Sequence, residues 1–160
     1  MQSKYIYFGI GASVTLTLGI IIAYWQRERI YSVFDYKTNI LLLTLEKDVQ
    51  KKVKVLLSRA KKQGIELRIT SAYRSCEEQD QLFAQGRTAP GRKVTNARCG
   101  QSAHNHRIAV DVVEFQEGEP IWENPRWETI GAIGESAGLK WGGRWKNFKD
   151  RPHFYDPTYS

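Results

Sequence analysis

Two short segments of this chain carry residue types that do chemistry. Ser102-Ala103-His104-Asn105-His106-Arg107-Ile108-Ala109-Val110-Asp111 sets two histidines and an aspartate around a short turn that leads into an apolar run. Asp150-Arg151-Pro152-His153, near the C-terminus, adds a second carboxylate and a third imidazole. A catalytic zinc ion needs three protein ligands of these kinds and a fourth position open to water. The two segments therefore read as the halves of one metal site, and the chain between them as the scaffold that must bring them together. Asp111 points the same way, because a carboxylate inside an apolar strand is costly without a cation or hydrogen bonds to hold it.

The scaffold is legible from periodicity and punctuation. A helix is expected from about Leu41 to Gln63, stopping at Gly64, a residue suited to a left-handed cap. Ile65 to Thr70 alternates with period two and reads as a half-buried strand. Ser75 is placed to cap a short helix from Glu77 to Gln85, with Glu78 completing a capping box. Residues Arg87 to Gln101 form a long connection containing Pro90, Gly91 and Gly100, and such loops in compact domains more often serve function than merely connect. Ile108 to Phe115 is an apolar strand, Arg126 to Ala137 a helix ending at Gly138, Leu139 to Trp141 a short strand, Gly142-Gly143 a turn, and Pro152 to Tyr155 a last strand. Helices and strands do not alternate regularly, so the expected class is α+β, a small and mostly antiparallel sheet flanked by helices.

Ahead of this domain, Tyr5 to Trp25 runs 21 residues without a charge, with Tyr5, Tyr7, Tyr24 and Trp25 at its ends. That length spans a bilayer as a helix, and aromatic residues belong at membrane interfaces. A signal peptide would have a shorter apolar region and a small-residue cleavage site, whereas Ala23-Tyr24-Trp25-Gln26 follows here. The expected layout is an N-terminal tail at 1–4, a transmembrane anchor at 5–25, a juxtamembrane linker at 26–40 and the catalytic domain at 41–160. Lys4 on one side and Arg27, Arg29 and Lys37 on the other favour, by basic residues alone, a cytoplasmic C-terminal domain.

With 160 residues, 41% hydrophobic and 26% charged, the composition is that of an ordinary globular protein. The net charge of +7 raises nucleic acid as a partner. Much of the charge, however, falls at Lys47, Lys51, Lys52, Lys54, Arg59, Lys61 and Lys62 in the first expected helix, interleaved with Val49, Val53, Leu56 and Leu57 as on the solvated face of an amphipathic helix. No DNA- or RNA-binding motif accompanies it. No nucleic-acid partner is expected, and a basic surface suits other anionic polymers, the bacterial cell wall among them.

Ser102-x-His104, then Ala109-x-Asp111, with Asp150-x-Pro152-His153-Phe154 downstream, resembles the zinc peptidases of the D-alanyl-D-alanine carboxypeptidase family. Within that family the chain is most similar to the L-alanyl-D-glutamate endopeptidases of wall-remodelling bacteria and phage endolysins. The finer match lies in Thr70-Ser71-Ala72-Tyr73-Arg74-Ser75, Glu77-Glu78-Gln79, Ala84-Gln85-Gly86-Arg87-Thr88, Val94-Thr95-Asn96-Ala97 and Gly138-Leu139-Lys140-Trp141-Gly142-Gly143. It covers about Leu45 to Phe154 and says nothing of residues 1–40.

The resemblance implies that His104, Asp111 and His153 hold one zinc ion, that Asp150 is the catalytic acid and base, and that Arg74 acts in catalysis or on a substrate carboxylate. It offers Gln79 and Ser102 as weaker substrate contacts, a turn-capping role being equally open to Ser102. His106 fits no ligand position. Trp141 and Trp145 are candidates either for a cleft wall or for the core. The implied substrate is the peptidoglycan stem peptide, cut between L-alanine and D-glutamate, with removal of a terminal D-alanine as the alternative and a non-catalytic wall-binding module as the alternative of another class. That substrate places the domain outside the cytoplasm, against the basic-residue count.

Cys76 and Cys99 adjoin segments that such a site would bring together, so they form either a disulfide, feasible outside the cytoplasm, or two free thiols. Where the family has a glycine, this chain has Arg107. If that turn needs φ > 0, the arginine is strained by about 1 kcal/mol or more; if not, Arg107 lines the substrate cleft.

Overall fold

The computed structural model describes residues 36–159. Its centre is β2 (Ala109–Gln116), a strand buried along nearly all of its length. β1 (Leu67–Ser71) pairs with one edge of β2, from Leu67 opposite Glu114 to Ser71 opposite Asp111. The other edge is shared: β5 (His153–Tyr155) takes Ala109 to Asp111, and β3 (Glu119–Ile121) takes Glu114 to Gln116. β4 (Lys140–Trp141) lies beyond β5, and every pairing is antiparallel. The expected α+β class with a small antiparallel sheet is what the chain adopts. β3 is additional to the strands expected; it returns through Glu117 and Gly118, both at positive φ, as a two-residue hairpin turn requires.

Three helices support the sheet: α1 (Lys47–Lys62), α2 (Cys76–Ala84) and α3 (Trp127–Ser136). α1 buries Val49, Val53, Leu56 and Ala60, one stripe at helical spacing, into a core that also holds Val110, Val112, Ile130 and Phe154. Burying such a side chain stabilises the fold by about 1.5–3 kcal/mol, which makes this stripe the main reason α1 docks. Ser75 caps α2, accepting from the Glu78 amide at 3.1 Å while the Glu78 carboxylate accepts from the Ser75 amide at 3.0 Å, the expected capping box.

The single helix expected from Leu41 to Gln63 is two. Residues 37–43 are helical, and the helix stops where the Thr44 hydroxyl donates to the Leu41 carbonyl at 2.6 Å. Glu46 is extended, its amide drawn to the carbonyl of Arg107 at 3.0 Å, and α1 starts afresh at Lys47. A side chain competing for helical carbonyls and a tertiary partner for the amide together override a continuous periodic pattern. Lys52 likewise leaves the expected solvated face: its ammonium meets the fully buried carboxylate of Asp156 at 2.6 Å and ties α1 to the end of β5.

The expected tail, membrane span and most of the linker, residues 1–35, lie outside the described residues. Among the described residues no helix is long and apolar enough to cross a membrane.

Candidate active site

The sheet itself positions two of the candidate ligands. Asp111 on β2 and His153 on β5 are directly opposite in the antiparallel register, so the ladder sets their separation without any special side chain. The Val112 amide donates to the Pro152 carbonyl at 3.0 Å, which extends the pairing one step past the ligands. Asp150 comes just before β5, its amide donating to the Gly142 carbonyl at 3.2 Å. Gly142 is required here by close approach: a Cβ on it would lie 2.6 Å from the Asp150 carbonyl oxygen and 3.2 Å from the His153 Cβ.

His104 arrives from a turn rather than a strand. The Ser102 hydroxyl accepts from the His104 amide at 3.3 Å, the amides of Asn105, His106 and Arg107 donate three residues back, and Arg107 closes the turn at φ 61°. Arg107 therefore occupies a left-handed position that favours glycine, and the strain considered above is present. It does not line the cleft. Its guanidinium donates to the Thr44 carbonyl at 3.0 Å and lies 4.1 Å over the Tyr73 ring.

His106 is exposed, its Nε2 donating to the Gly100 carbonyl at 2.9 Å, and stands apart from the cluster. Asn105, which carries no signal in the sequence beyond being an amide in a turn, donates to the carbonyls of Arg74 and Ser75 at 2.9 and 3.3 Å and accepts from the Gly100 amide.

Three atoms converge. His104 Nε2 lies 3.3 Å from His153 Nδ1 and 3.3 Å from Asp111 Oδ1, and His153 Nδ1 lies 3.0 Å from Asp111 Oδ1. The His104 Nδ1 donates to the Ala72 carbonyl at 2.6 Å; a carbonyl only accepts, so the proton is on Nδ1 and Nε2 turns its lone pair toward the other two atoms. A tetrahedral zinc with bonds of about 2.0 Å separates its ligands by about 3.3 Å, and this triangle matches that edge. The donor set, two imidazoles and one carboxylate, is also the kind zinc takes at catalytic sites, so the residues present fit the ion.

Electrostatics divide the two carboxylates. Burial pushes the Asp111 carboxyl up, but the hydrogen bonds and charge that His104 and His153 offer in their imidazolium forms, with a proton also on the nitrogen facing Asp111, outweigh it and hold the group well below the usual carboxylate range. Asp150 moves the other way: burial and the charge of Asp111 raise it, against the opposing pull of His153, His104 and Arg74. One carboxyl is kept ionised and suited to a cation; the other is brought toward proton exchange.

Asp150, the three donors, Arg74 and Ser102 all line one open cavity of about 790 Å³. Residues Lys93 to Ala97 of the long connection also line it, as do Trp145 and Phe148. Trp145 is thus a wall residue, while Trp141 is buried in the core with its indole donating to the Arg151 carbonyl at 2.7 Å. The Arg74 guanidinium is steered by Gln79 Oε1 at 3.0 Å and the Ser71 hydroxyl at 3.2 Å, and stands 4.0 Å from Asp111.

Gln79, offered above as a substrate contact, is not among the residues that line the cavity. It is fully buried, one end of its amide holding Arg74 and the other the Ala97 carbonyl at 2.7 Å. Cys76 and Cys99 are joined as a disulfide that fastens the same connection to α2. Arg87 adds hydrogen bonds to the carbonyls of Phe83 and Thr95 at 2.6 and 3.0 Å.

Three metal donors with an open side and a carboxyl of raised pKa beside them are the parts of a metal-dependent hydrolase. Residues 42–136 match the family VanY, D-alanyl-D-alanine carboxypeptidase, and the chain belongs to that family. Over 115 residues it is 38% identical to the peptidoglycan L-alanyl-D-glutamate endopeptidase CwlK of Bacillus subtilis (strain 168), covering 66% of this chain and 69% of that relative.

Among solved structures it is similar to the L-Ala D-Glu endopeptidase ChiX of Serratia marcescens, with a TM-score of 0.60 at 22% identity over 76% of this chain and 87% of the other. It is also similar to the D,D-pentapeptidase VanY of a VanB-type resistance cassette, solved with Zn(II), with a TM-score of 0.56 at 14% identity over 70% of this chain and 72% of the other. These two structures speak for the fold. The metallopeptidase expected from the sequence is the class to which the relatives belong.

Proposed function

We propose that this chain is a zinc-dependent peptidase that cuts the stem peptide of peptidoglycan between L-alanine and D-glutamate. The observation that carries the chemistry is the donor triangle of His104, Asp111 and His153 opening onto the cavity that Asp150 and Arg74 also line. The choice of bond is supported by the 38% identity to an enzyme named for it.

His104, Asp111 and His153 would hold a single zinc ion, and the chemistry it would supply there is Lewis acidity toward a carbonyl oxygen and a lowered pKa for water. Asp150, whose carboxyl is raised by burial and by the charge of Asp111, takes the proton of the attacking water and returns it to the leaving amine. Arg74 holds a substrate carboxylate bidentately or stabilises the negative charge developing on the carbonyl oxygen, and Gln79 and Ser71 fix the plane of its guanidinium. Ser102 shapes the His104 turn and presents its remaining surface to the cavity. Arg107, the one hint toward a non-catalytic wall-binding module, faces Thr44 and Tyr73, which leaves that module without support.

Residues 5–25 are proposed to anchor the enzyme in a membrane and 26–40 to link that anchor to the peptidase domain at 41–160, with the domain on the wall side. The support is the uncharged run itself and the location of the substrate.

The deciding experiment digests purified peptidoglycan with and without a chelator and identifies the new termini by mass spectrometry. New N-terminal D-glutamate that vanishes with the chelator is the expected product. Release of D-alanine alone, with the L-Ala–D-Glu bond intact, would replace this reading with the carboxypeptidase.

A further inference from the structure

Arg107 stands in the turn between the candidate ligands His104 and Asp111. It sits at φ 61°, in the left-handed region that favours glycine, and the side chain that brings this strain is bound at both of its functional features: its donor on the Thr44 carbonyl at 3.0 Å and its planar face over Tyr73 at 4.1 Å. The backbone of the same residue accepts from the Glu46 amide at 3.0 Å and donates to the His104 carbonyl at 3.3 Å. The neighbouring segment closes the circuit. The Tyr73 amide donates to the Thr44 hydroxyl at 3.2 Å, and the Arg74 amide donates to the His104 carbonyl at 3.2 Å. Three stretches distant in sequence, 44–46, 72–74 and 104–107, thus meet around one arginine.

We propose that Arg107 is a positioning residue for the metal site, clamping the His104 turn to the end of the 37–43 helix and to the Tyr73-Arg74 segment. The guanidinium acts through two neighbours at once. It holds the Thr44 carbonyl, one residue past the helix, against the turn, and by covering Tyr73 it steadies the segment whose Ala72 carbonyl orients the His104 ring. Arginine serves here because its fork donates while its face stacks, which lysine does less well. The 37–43 helix thereby supports the site, although none of its residues lines the cavity holding the ligands.

The proposal rests on His104 being a zinc ligand, and its test is chosen to separate the two ideas. Zinc affinity is measured on the full chain by competition with a chromophoric chelator, alongside the melting temperature of the zinc-free protein. Arg107→Gly fits the backbone at φ > 0, so the zinc-free melting temperature should hold or rise while zinc affinity falls by about tenfold, the scale of a lost outer-shell contact. Arg107→Lys should recover part of that affinity, and kcat should fall more than KM changes in Arg107→Gly.

Unchanged zinc affinity and kcat in Arg107→Gly would overturn the clamp, as would a loss of melting temperature with affinity intact, the mark of a purely structural role. If Arg107→Gly fails to fold, Arg107→Lys decides alone: affinity equal to the parent chain overturns the proposal and weaker affinity with unchanged melting upholds it. A parent chain that binds no zinc would instead sink the functional reading beneath it.

Discussion

The two sides of the cavity are held in place by different means. Asp111, His153 and Asp150 stand on or beside paired strands, where backbone hydrogen bonds set their positions and the identity of the neighbouring side chains matters little, Gly142 excepted. Arg74, His104 and the 93–97 wall stand on turns and loops, and their positions depend on particular side chains: Gln79, Asn105, Arg87, Arg107 and the Cys76–Cys99 disulfide. The sheet side is made by pattern and the loop side by individual contacts. Substitutions should therefore damage the two sides differently, the first by removing chemistry outright and the second by loosening geometry.

The largest effect is expected from the sheet-borne donors. Asp111→Ala should abolish peptidoglycan cleavage and reduce bound zinc, read by atomic emission, from one equivalent to none; a variant that keeps its zinc would show that the strand pair is not the metal platform. Next, Asp150→Ala should lower kcat by roughly 10²–10⁴-fold, the usual contribution of a general acid and base, with zinc content unchanged.

On the loop side, reduction of the disulfide should raise KM while leaving zinc bound. It should also lower thermal stability by an amount on the order of 3 kcal/mol, as the chain-entropy argument gives for a bridge spanning 23 residues. Zinc loss on reduction would mean that the two sides are not separable.

The smallest effect lies in the pH profile. Asp150 must be ionised to accept a proton, so activity falls as pH drops through its pKa, and burial with the charge of Asp111 places that limb above the ordinary carboxylate range. Arg74 opposes the rise, so Arg74→Gln should move the acidic limb to still higher pH; a shift to lower pH would contradict the assigned electrostatics.

The same division explains what could be read in advance. The residues of the donor triangle and the capping box at Ser75 and Glu78 are local features, and the strand carrying Asp111 is a short continuous apolar run, the mark of a strand buried on both faces. The break at 44–46 is not local, since it needs the Arg107 carbonyl 61 residues away from Glu46.

The Lys52–Asp156 pair joins residues 104 apart, and nothing in a lysine-rich helix marks which lysine turns inward. Gln79 was legible as a member of a motif but not as a buried strut, because an amide carries no sign of which way it will face. The β2–β3 hairpin had a signal that periodicity alone passes over, a Glu117-Gly118 pair suited to two successive positive φ values.

The register of β1 against β2 shifts at Thr70, whose hydroxyl donates to the Asp111 carbonyl at 3.2 Å. A strand sends alternate side chains to opposite faces, so one unpaired residue is a change of phase. Beyond the shift Ser71 holds the guanidinium of Arg74, which lines the cavity, while Ala72 lies in the core with Ile69, which is how one short segment serves both. The constraint on this stretch is consequently on its length more than on its composition. Shortening it by a single residue at 70 would swing Ser71, Ala72 and Arg74 to the wrong faces together, a heavier insult than most substitutions there, and chains of this lineage should vary at position 70 in kind before they vary in number.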